Sequence, residues 1–380
     1  MSNADRSLVL IGGGHSHVEV IRRLGLHPPP RTQLILISRE RYTPYSGMLP
    51  GFVAGHYRFS DMHIDLARLC ERAGATFIQD ATIGLNRTER RVRCQRHSPV
   101  AYDFLSLDIG STPQAIPGDS DNAVAVKPIP RFRERWLALL ERIQDLREPR
   151  EPLSIAIVGG GAAGVELILA MHYRFNQLER PGPQAPPRFS LFTRSTDILP
   201  THNALVRRQF RRLLAKRNIE LHTGCEIRKV ANGWLEDGNG RRHPADETLW
   251  VTGAQGAPWL METGLALDSA GFIQVGPTLQ SVSDPRILAA GDIASLVDHP
   301  REKAGVIAVR QGPPLARNLR AALTGNDLTP YHPQRHWLSL ISTGDRYAVA
   351  SKGRWYLAGR WVWRWKDYID RRFMARYQDG

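Results

Sequence analysis

The sequence reads LVLIGGGHSH at residues 8–17 and IAIVGGGAAG at residues 155–164. Each stretch is a short apolar run followed by three glycines, and apolar residues at helical spacing come next. This pattern predicts a strand, a tight turn and a helix, and a second apolar strand follows each copy, at 33–38 and 189–193. Two such units predict an α/β protein with two nucleotide-binding halves of doubly wound sheets.

The glycines of the two turns have separate physical roles. The first, Gly12 or Gly159, lets the chain reverse tightly, and the second, Gly14 or Gly161, leaves room for a pyrophosphate beside the helix N-terminus. A single copy is weak evidence, because Gly-rich turns are common, but two copies in the same context indicate nucleotide binding. Gly164 completes the second copy.

Two histidines interrupt the first copy, in which His17 replaces the third glycine. We therefore expect the first helix to lie slightly farther from its strand. The two interpretations of His15 and His17 are a catalytic or metal-binding role and simple packing at the turn. Packing is the favoured interpretation, since no carboxylate or cysteine lies at ligand spacing, and no metal is predicted.

Composition excludes several classes of protein. The 380 residues are 42% hydrophobic and 23% charged, which is typical of a folded globular protein and not of a disordered chain, a fibre or a disulfide scaffold. The net charge is +14, yet only six of 51 basic residues are lysine and no nucleic-acid motif accompanies them, so no nucleic-acid partner is expected. Neither a signal peptide nor a membrane-spanning run is evident, which predicts a cytoplasmic protein.

Four further segments carry a family resemblance. Residues 107–113 (LDIGSTP) and 250–254 (WVTGA) look like the two "ATG" segments of two-dinucleotide flavoproteins. Residues 278–281 (TLQS) and 287–292 (ILAAGD) look like their late FAD motif, in which the aspartate accepts a hydrogen bond from a ribityl hydroxyl. The chain thus resembles the pyridine nucleotide–disulfide oxidoreductase superfamily, and within it the type II NADH dehydrogenases and sulfide:quinone reductases.

A narrower resemblance rests on three other segments. Residues 45–51 (YSGMLPG), 303–305 with 310–314 (KAG, RQGPP) and 341–345 (ISTGD) are similar to FAD-containing NADH-dehydrogenase-like proteins often fused ahead of selenide, water dikinase. The sequence stops after the flavoprotein part, so no kinase activity is expected.

The resemblance implies a glutathione-reductase-like arrangement of two Rossmann-like domains. Residues 1–117 and 254–328 would form a discontinuous FAD-binding domain, 118–253 an NAD(P)-binding domain, and 329–380 a C-terminal interface segment. FAD would be the cofactor and NADH or NADPH the co-substrate. Nicotinamide would stack on one face of the flavin, and a quinone-like electron acceptor would approach the other.

Two residues are predicted to take part in catalysis. The family places a glutamate at the position of Glu166, where it can orient the nicotinamide or pair with a positive group. The alternative is a solvated glutamate in the first turn of a helix, stabilised by the helix dipole. Lys303 is similar to a family lysine near the flavin pyrimidine, where a cation would stabilise the reduced flavin, and the alternative is an ordinary surface lysine.

The strand ends depart from the usual pattern, because neither carries the acid that binds ribose. Ser38 occupies that place in the first unit, beside Arg39, which could cover the adenine. Thr193 and Arg194 occupy it in the second, and an arginine there suits the 2′-phosphate of NADPH, although an exposed arginine without a function is equally plausible. The full set of predicted cofactor contacts is Gly12, Gly14, His15, Ser16, Ser38, Arg39, Pro44, Ser46, Gly47, Thr82, Gly110, Ser111, Gly159, Gly161, Ala162, Gly164, Glu166, Arg194, Gly253, Gly291, Asp292, Lys303 and Ala304.

Cysteine usage argues against two relatives. Disulfide reductases need a Cys-x4-Cys pair, and sulfide:quinone reductases need two thiols near the flavin. Here Cys70 lies in a helical stretch and Cys94 and Cys225 in strand-like stretches far from the flavin motifs. Thiol chemistry is therefore not expected.

The C-terminal stretch 359–377 is rich in tryptophan and arginine. Its spacing predicts an amphipathic helix with an aromatic face and flanking cations, which is typical of a helix at a membrane surface. Packing on the FAD domain or across a homodimer is an equally good interpretation. The predicted face is Trp361, Trp365, Tyr368, Ile369 and Phe373, and the flanking cations are Arg360, Arg364, Lys366, Arg371 and Arg376.

These observations lead to one main hypothesis. The chain is predicted to be an FAD-dependent NAD(P)H dehydrogenase that passes electrons to a quinone-like acceptor without thiols, at the inner face of a membrane. The alternative is a flavin-binding partner protein linked to selenium metabolism, without nicotinamide-dependent activity.

Overall fold

The computed structural model describes residues 5–118, 121–145, 152–178, 186–300 and 303–378. It has an α/β architecture, as predicted from the two strand–turn–helix units. The helices are α1 (His15–Leu26), α2 (Leu49–Val53), α3 (Leu66–Arg72), α4 (Ile129–Asp145), α5 (Ala162–Gln177), α6 (Ala204–Lys216), α7 (Gly305–Thr324) and α8 (Arg360–Gln378). Short 3-10 helices span Ser46–Met48, Phe59–Met62, Pro258–Glu262 and Gly291–Ile293.

The larger sheet has eight strands and contains the first Gly-rich unit. Its central strand Arg6–Ile11 pairs in parallel with Thr32–Ser38 and Phe104–Leu107, and its last four residues are at most 2% exposed. A continuous apolar run of this kind is what a strand covered on both faces requires. In spatial order the strands are Ala294–Leu296, Ile273–Val275, Gln280–Ser281, Asp284–Ala289, Phe104–Leu107, Arg6–Ile11, Thr32–Ser38 and Thr76–Gln79.

The second sheet has five parallel strands and contains the second Gly-rich unit. The larger sheet takes its strands from residues 6–107 and 273–296, on both sides of the second sheet in the sequence. The order is Ala123–Ala125, Glu247–Trp250, Ser154–Val158, Arg188–Phe192 and Ile219–His222.

Smaller sheets complete the fold. Thr112–Pro113 pairs with Ala254–Gln255 where the chain crosses between the two large sheets. Ser339–Ser342, Ala348–Lys352 and Trp355–Gly359 form an antiparallel sheet that leads into α8. The remaining strands are Tyr42–Pro44 with His63–Asp65, then Thr82–Asn86 with Arg91–Cys94 and Val100–Ala101, and Ile227–Ala231 with Gly233–Asp237 and Arg242–Ala245. In the described part of the chain, no helix combines the length and the apolarity needed to cross a membrane.

Candidate active site

The first Gly-rich turn is fixed by close backbone contact. Gly12 has a φ of +91°, and a Cβ there would lie 2.5 Å from the carbonyl oxygen of Asp108, so only glycine fits. The N–H of Gly14 donates to that same carbonyl at 3.0 Å. α1 begins at the next residue, so its N-terminus lies at the carboxyl ends of the strands Arg6–Ile11 and Phe104–Leu107. This is where doubly wound sheets receive a pyrophosphate.

The two histidines have separate surroundings. His17 is buried, and its ring nitrogens lie 2.7 Å from the carbonyl oxygen of Gly12 and 2.8 Å from Oγ of Ser106. It therefore ties the helix to the turn and to the neighbouring strand. His15 packs edge-on against Tyr45 at 5.4 Å, and its buried Nε2 meets no hydrogen-bond partner among the described residues. Burial lowers the pKa of each ring to about 4, so both are neutral at pH 7.

A charged cluster lies beside this turn at the late motif. Nζ of Lys127 donates to Oδ2 of Asp292 at 2.8 Å, and Oγ of Ser111 donates to it at 3.3 Å. Burial opposes the ionisation of Asp292, but Lys127 and Ser111 outweigh it and hold its pKa below the usual range. Lys127 was missed in the sequence because it belongs to no motif.

One of the predicted cofactor contacts contains a buried unpaired atom. Oγ1 of Thr82 is buried with no hydrogen-bond partner in the described chain. Oγ of Ser38 donates to the carbonyl of Glu40 at 3.0 Å and keeps its lone pairs available, and Arg39 is exposed. Because buried polar atoms normally have partners, the orphaned atoms of Thr82 and His15 fit a polar cofactor such as FAD.

The loop after the second strand closes the site from another side. Pro44 ends the strand Tyr42–Pro44, and Ser46 and Gly47 lie in the following 3-10 helix. Oγ of Ser46 lies 3.4 Å from where a Cβ on Gly305 would be, which brings this loop against the start of α7.

Lys303 and Ala304 immediately precede α7. Nζ of Lys303 donates to the carbonyl of Ala294 at 2.6 Å and lies 4.0 Å from the centre of the Phe272 ring. Burial lowers its pKa. The ammonium is therefore held beside the strand that follows Asp292, so it is not an ordinary surface lysine.

The second Gly-rich turn resembles the first, but the helix packs more closely on the turn at the third glycine. Gly159 has a φ of +136°, and a Cβ on Gly164 would lie 1.9 Å from its carbonyl oxygen. Gly161 is the N-cap of α5, Ala162 begins the helix, and nothing lies within 4 Å of a Cβ built on Gly161. The third glycine thus serves helix packing, whereas the second faces open space.

The two "ATG" segments are equivalent in conformation as well as in sequence. Gly110 and Gly253 have φ values of +71° and +68°. The N–H of Gln114 donates to the carbonyl of Gly253 at 3.1 Å, so the two segments meet. They form the crossing between the two large sheets.

Glu166 does not project into solvent. Its Oε1 accepts hydrogen bonds from the N–H of Ser342 at 2.7 Å and from its Oγ at 3.0 Å. Burial raises the pKa of Glu166, and the positive charge of Lys366 opposes this shift only in part. These contacts argue against a freely solvated glutamate at this position.

Lys366 lies between this glutamate and the flavin loop, which we define as residues 44–48 and which the sequence predicts to contact FAD. Its Nζ donates to the carbonyl of Gly47 at 2.7 Å and to Oδ2 of Asp370 at 2.6 Å. Burial would lower its pKa, but the charges of Asp370 and Glu166 outweigh burial and raise it, so the lysine stays protonated. The roles of Lys366 and Asp370 were not predicted from the sequence, although an i,i+4 Lys–Asp pair on an aromatic helix was a visible signal.

The prediction for the C-terminal helix needs two corrections. Lys366 is buried and does not flank a membrane face, and Phe373 is only 7% exposed. Phe373 instead stacks on Tyr45 with ring centres 4.4 Å apart. The helical period was right, but one face packs on the FAD domain. The aromatic face that remains exposed is Trp361, Trp365, Tyr368 and Ile369.

The second strand of the second Gly-rich unit is followed by an exposed arginine. Thr193 is buried directly after the strand Arg188–Phe192, and Arg194 is exposed beside it. No acid stands at this strand end, as the sequence shows.

The cysteines lie outside this site. Cys70 in α3 and Cys94 in a strand are buried, and burial raises the pKa of Cys70 to about 12. Cys225 lies in a loop and not in a strand, which corrects the prediction. Its thiol, a carboxylate oxygen of Asp237 and a ring nitrogen of His243 lie within 4.8 Å of one another. This cluster went unnoticed in the sequence, because the pairing of the Gly233–Asp237 and Arg242–Ala245 strands brings Asp237 and His243 together, and Cys225 joins them from a loop.

Comparison with known proteins identifies relatives of similar architecture. The chain is 24% identical to an NADH dehydrogenase-like protein of Mycobacterium tuberculosis over 68% of this chain and 64% of that relative, so the match spans less than two thirds of the relative's length. It is 23% identical to demethylphylloquinone reductase of Synechocystis over 90% of this chain and 87% of the relative. The sulfide:quinone oxidoreductase from Aquifex aeolicus has a similar fold, with a TM-score of 0.83 at 18% identity, covering 99% of this chain and 92% of that one.

A second solved structure has the same fold. NDH2 from Plasmodium falciparum, determined in complex with NADH, superposes with a TM-score of 0.79 at 14% identity, covering 97% of this chain and 98% of that one. The sequence profile of one family matches residues 6–318, a span that includes both Gly-rich turns, the late motif and the start of α7. On this match, the chain belongs to the pyridine nucleotide-disulphide oxidoreductase family.

Proposed function

We propose that this chain is an FAD-dependent NAD(P)H oxidoreductase that reduces a quinone-like acceptor. One observation carries the proposal: α5 of the second unit brings Glu166 to the C-terminal segment, and Lys366 of that segment binds the flavin loop at Gly47. The two nucleotide-binding units thus converge on one polar cluster. The relatives named for NADH dehydrogenase and quinone reductase activity support it.

FAD, when bound, supplies the hydride acceptor and the electron transfer to the second substrate. The chain supplies binding groups: the N-terminus of α1 for the pyrophosphate, Asp292 for a ribityl hydroxyl, and Ser38 with Thr82 for the adenosine end. The division at 1–117, 118–253, 254–328 and 329–380 is part of this proposal.

Glu166 is the proton-holding group in this proposal. Reduction of a quinone to a quinol consumes one proton in addition to the hydride from the nucleotide. A half-buried carboxyl with a raised pKa retains a proton closer to neutral pH than a fully exposed one. Lys303 and Lys366 are the cations that balance negative charge developing nearby.

The acceptor reacts without protein thiols in this proposal. The positions of Cys70 and Cys94, both buried outside the site, support this. For the nucleotide, Arg194 at an acid-free strand end supports acceptance of NADPH as well as NADH, because its guanidinium can bind a 2′-phosphate.

We also propose peripheral contact with a membrane through α8. The exposed aromatic face lies on the same helix as Lys366, so a lipid-soluble acceptor would enter beside the polar cluster. Arginines flank the face and suit an anionic, cytoplasmic leaflet. Pairing of this face across a homodimer is the competing arrangement.

The experiment compares the FAD-loaded chain with its Glu166→Gln variant in oxidation of NADH by a water-soluble quinone. Because the protonated carboxyl is the active form, wild-type turnover should be constant at low pH and fall as pH rises through the raised pKa of Glu166. Turnover by the variant should no longer fall as pH rises, and it should be about 100-fold slower than that of the wild type.

Glu226→Gln is the matched control, since Glu226 is exposed and pairs only with Arg228 in the described structure. It should behave as the wild type. An unchanged pH profile in Glu166→Gln would remove the proton role. A folded, FAD-loaded chain without turnover would instead favour the flavin-binding partner protein linked to selenium metabolism.

A further inference from the structure

Asp108 is a buried carboxyl inside the proposed FAD cradle. It is 2% exposed, and its Oδ2 accepts hydrogen bonds from the N–H of Ser16 at 2.8 Å and of His17 at 3.1 Å. These are N–H groups of the first turn of α1. A Cβ on Gly14 or on Gly291 would lie 2.2 Å from this carboxyl, so both glycines make room for it.

The charged groups around Asp108 offer it little compensation. Asp292, which follows Gly291, is the facing carboxylate, and Lys127 already pairs with it. His15 and His17 on α1 are neutral at pH 7, since each has a pKa of about 4. From α7, Gln311 uses its Oε1 to accept from the N–H of Gly291. Burial, with the nearby charge of Asp292, raises the pKa of Asp108 to about 7.

The pyrophosphate of FAD would reach the same helix N-terminus, a step that rests on the proposed function. Two anions would then share one set of N–H groups and one partial positive charge. Like charges in a water-poor site disfavour each other strongly. A neutral carboxyl avoids this repulsion and can donate a hydrogen bond as well as accept one.

We propose that Asp108 takes up a proton from solvent when FAD binds, so that FAD affinity depends on pH through this one residue. The bound pyrophosphate raises the pKa of Asp108 above its value in the FAD-free chain. By linkage, affinity is constant below pH 7 and falls as pH rises above it, by up to about tenfold per pH unit.

The experiment titrates the full chain, freed of flavin, with FAD from about pH 6 to about pH 8.5. The wild type should lose affinity across this range. Asp108→Asn, which stays neutral and keeps an oxygen acceptor for Ser16 and His17, should hold the low-pH affinity throughout. Calorimetry in two buffers of different ionisation enthalpy should show uptake approaching one proton per FAD at about pH 8 for the wild type and none for the variant.

Asp103→Asn is the matched control. Asp103 stands at the other end of the strand Phe104–Leu107 and accepts from the N–H of Ser7 at 2.7 Å. It should keep the wild-type pH dependence. The inference would be overturned if FAD affinity depended on pH equally in the wild type and in Asp108→Asn, or if the wild type took up no proton. Either result would leave the proposal that the chain binds FAD unaffected. Failure of the folded wild type to bind FAD at any pH would overturn the proposed function as well. If Asp108→Asn does not fold, the proton count of the wild type decides alone.

Discussion

Glycines of one turn can differ in purpose although they look alike in the sequence. A Cβ on Gly164 would lie 1.9 Å from a backbone oxygen, whereas one on Gly161 meets nothing within 4 Å. A backbone oxygen cannot move aside as the end of a flexible side chain can, so the fold requires glycine at position 164. Under the proposed function, Gly161 is instead required by the ligand, because a pyrophosphate would approach its backbone.

This difference predicts opposite outcomes for two alanine variants. Gly164→Ala should lower the free energy of unfolding by about 1–3 kcal/mol through overpacking. Gly161→Ala should remain within about 1 kcal/mol of the wild type, the small loss coming from a poorer N-cap. Its affinity for NADH or NADPH should nevertheless fall by about tenfold or more, equivalent to about 1.4 kcal/mol.

Denaturant unfolding and nucleotide titration measure the two effects separately. Each variant serves as the control for the other, since both add one methyl group to the same turn. Loss of stability in Gly161→Ala, with no change in nucleotide affinity, would show that the second turn is only structural.

At the scale of elements, α8 has a buried face and an exposed face. Oη of Tyr57 donates to Asp367 at 2.7 Å, and Oη of Tyr377 donates to Glu19 of α1 at 2.8 Å. These contacts and the buried Phe373 and Met374 fix the helix to the FAD domain. Deleting the helix would therefore damage the core, so only point variants can test the exposed face.

We expect the exposed face to bind lipid. Replacing Trp361, Trp365 and Tyr368 together by serine should weaken binding to vesicles of phosphatidylglycerol and phosphatidylcholine by more than about tenfold, because burying one large apolar side chain contributes about 1.5–3 kcal/mol. Flavin content should not change, since these side chains do not face the FAD domain. Vesicle co-sedimentation measures binding.

Met261→Ser is the control, as Met261 is 72% exposed but lies in the Pro258–Glu262 segment. Salt should weaken wild-type binding, because the screening length falls from about 10 Å at 0.1 M to about 3 Å at 1 M. Vesicle binding unaffected by the triple substitution would reject the membrane role. A change in oligomeric state would then support the homodimer.

The sequence was sufficient for local features and insufficient for long-range ones. Both Gly-rich turns could be predicted because strand, turn and helix are consecutive in the chain. The helical period of 360–378 was equally visible, but a period does not reveal which side is buried, so Lys366 and Phe373 were misassigned. Asp108 escaped notice because its partners on α1 are about ninety residues away and its segment resembled a motif with another role.

At the scale of the whole molecule, two nucleotide-binding units share one cluster of polar side chains. The strands Thr112–Pro113 and Ala254–Gln255 join the units, and Glu166, Ser342 and Lys366 connect them on the side of α8. Such an arrangement suits two ligands that react with each other. Direct hydride transfer between them is therefore the central claim.

The most direct test is anaerobic addition of NADH, and separately of NADPH, to the FAD-loaded chain without any acceptor. The visible absorbance of oxidised flavin should disappear within a single turnover with at least one nucleotide, and the faster one reveals what Arg194 selects. Subsequent addition of a quinone should restore the absorbance. An intact, FAD-loaded protein that neither nucleotide reduces would contradict the account.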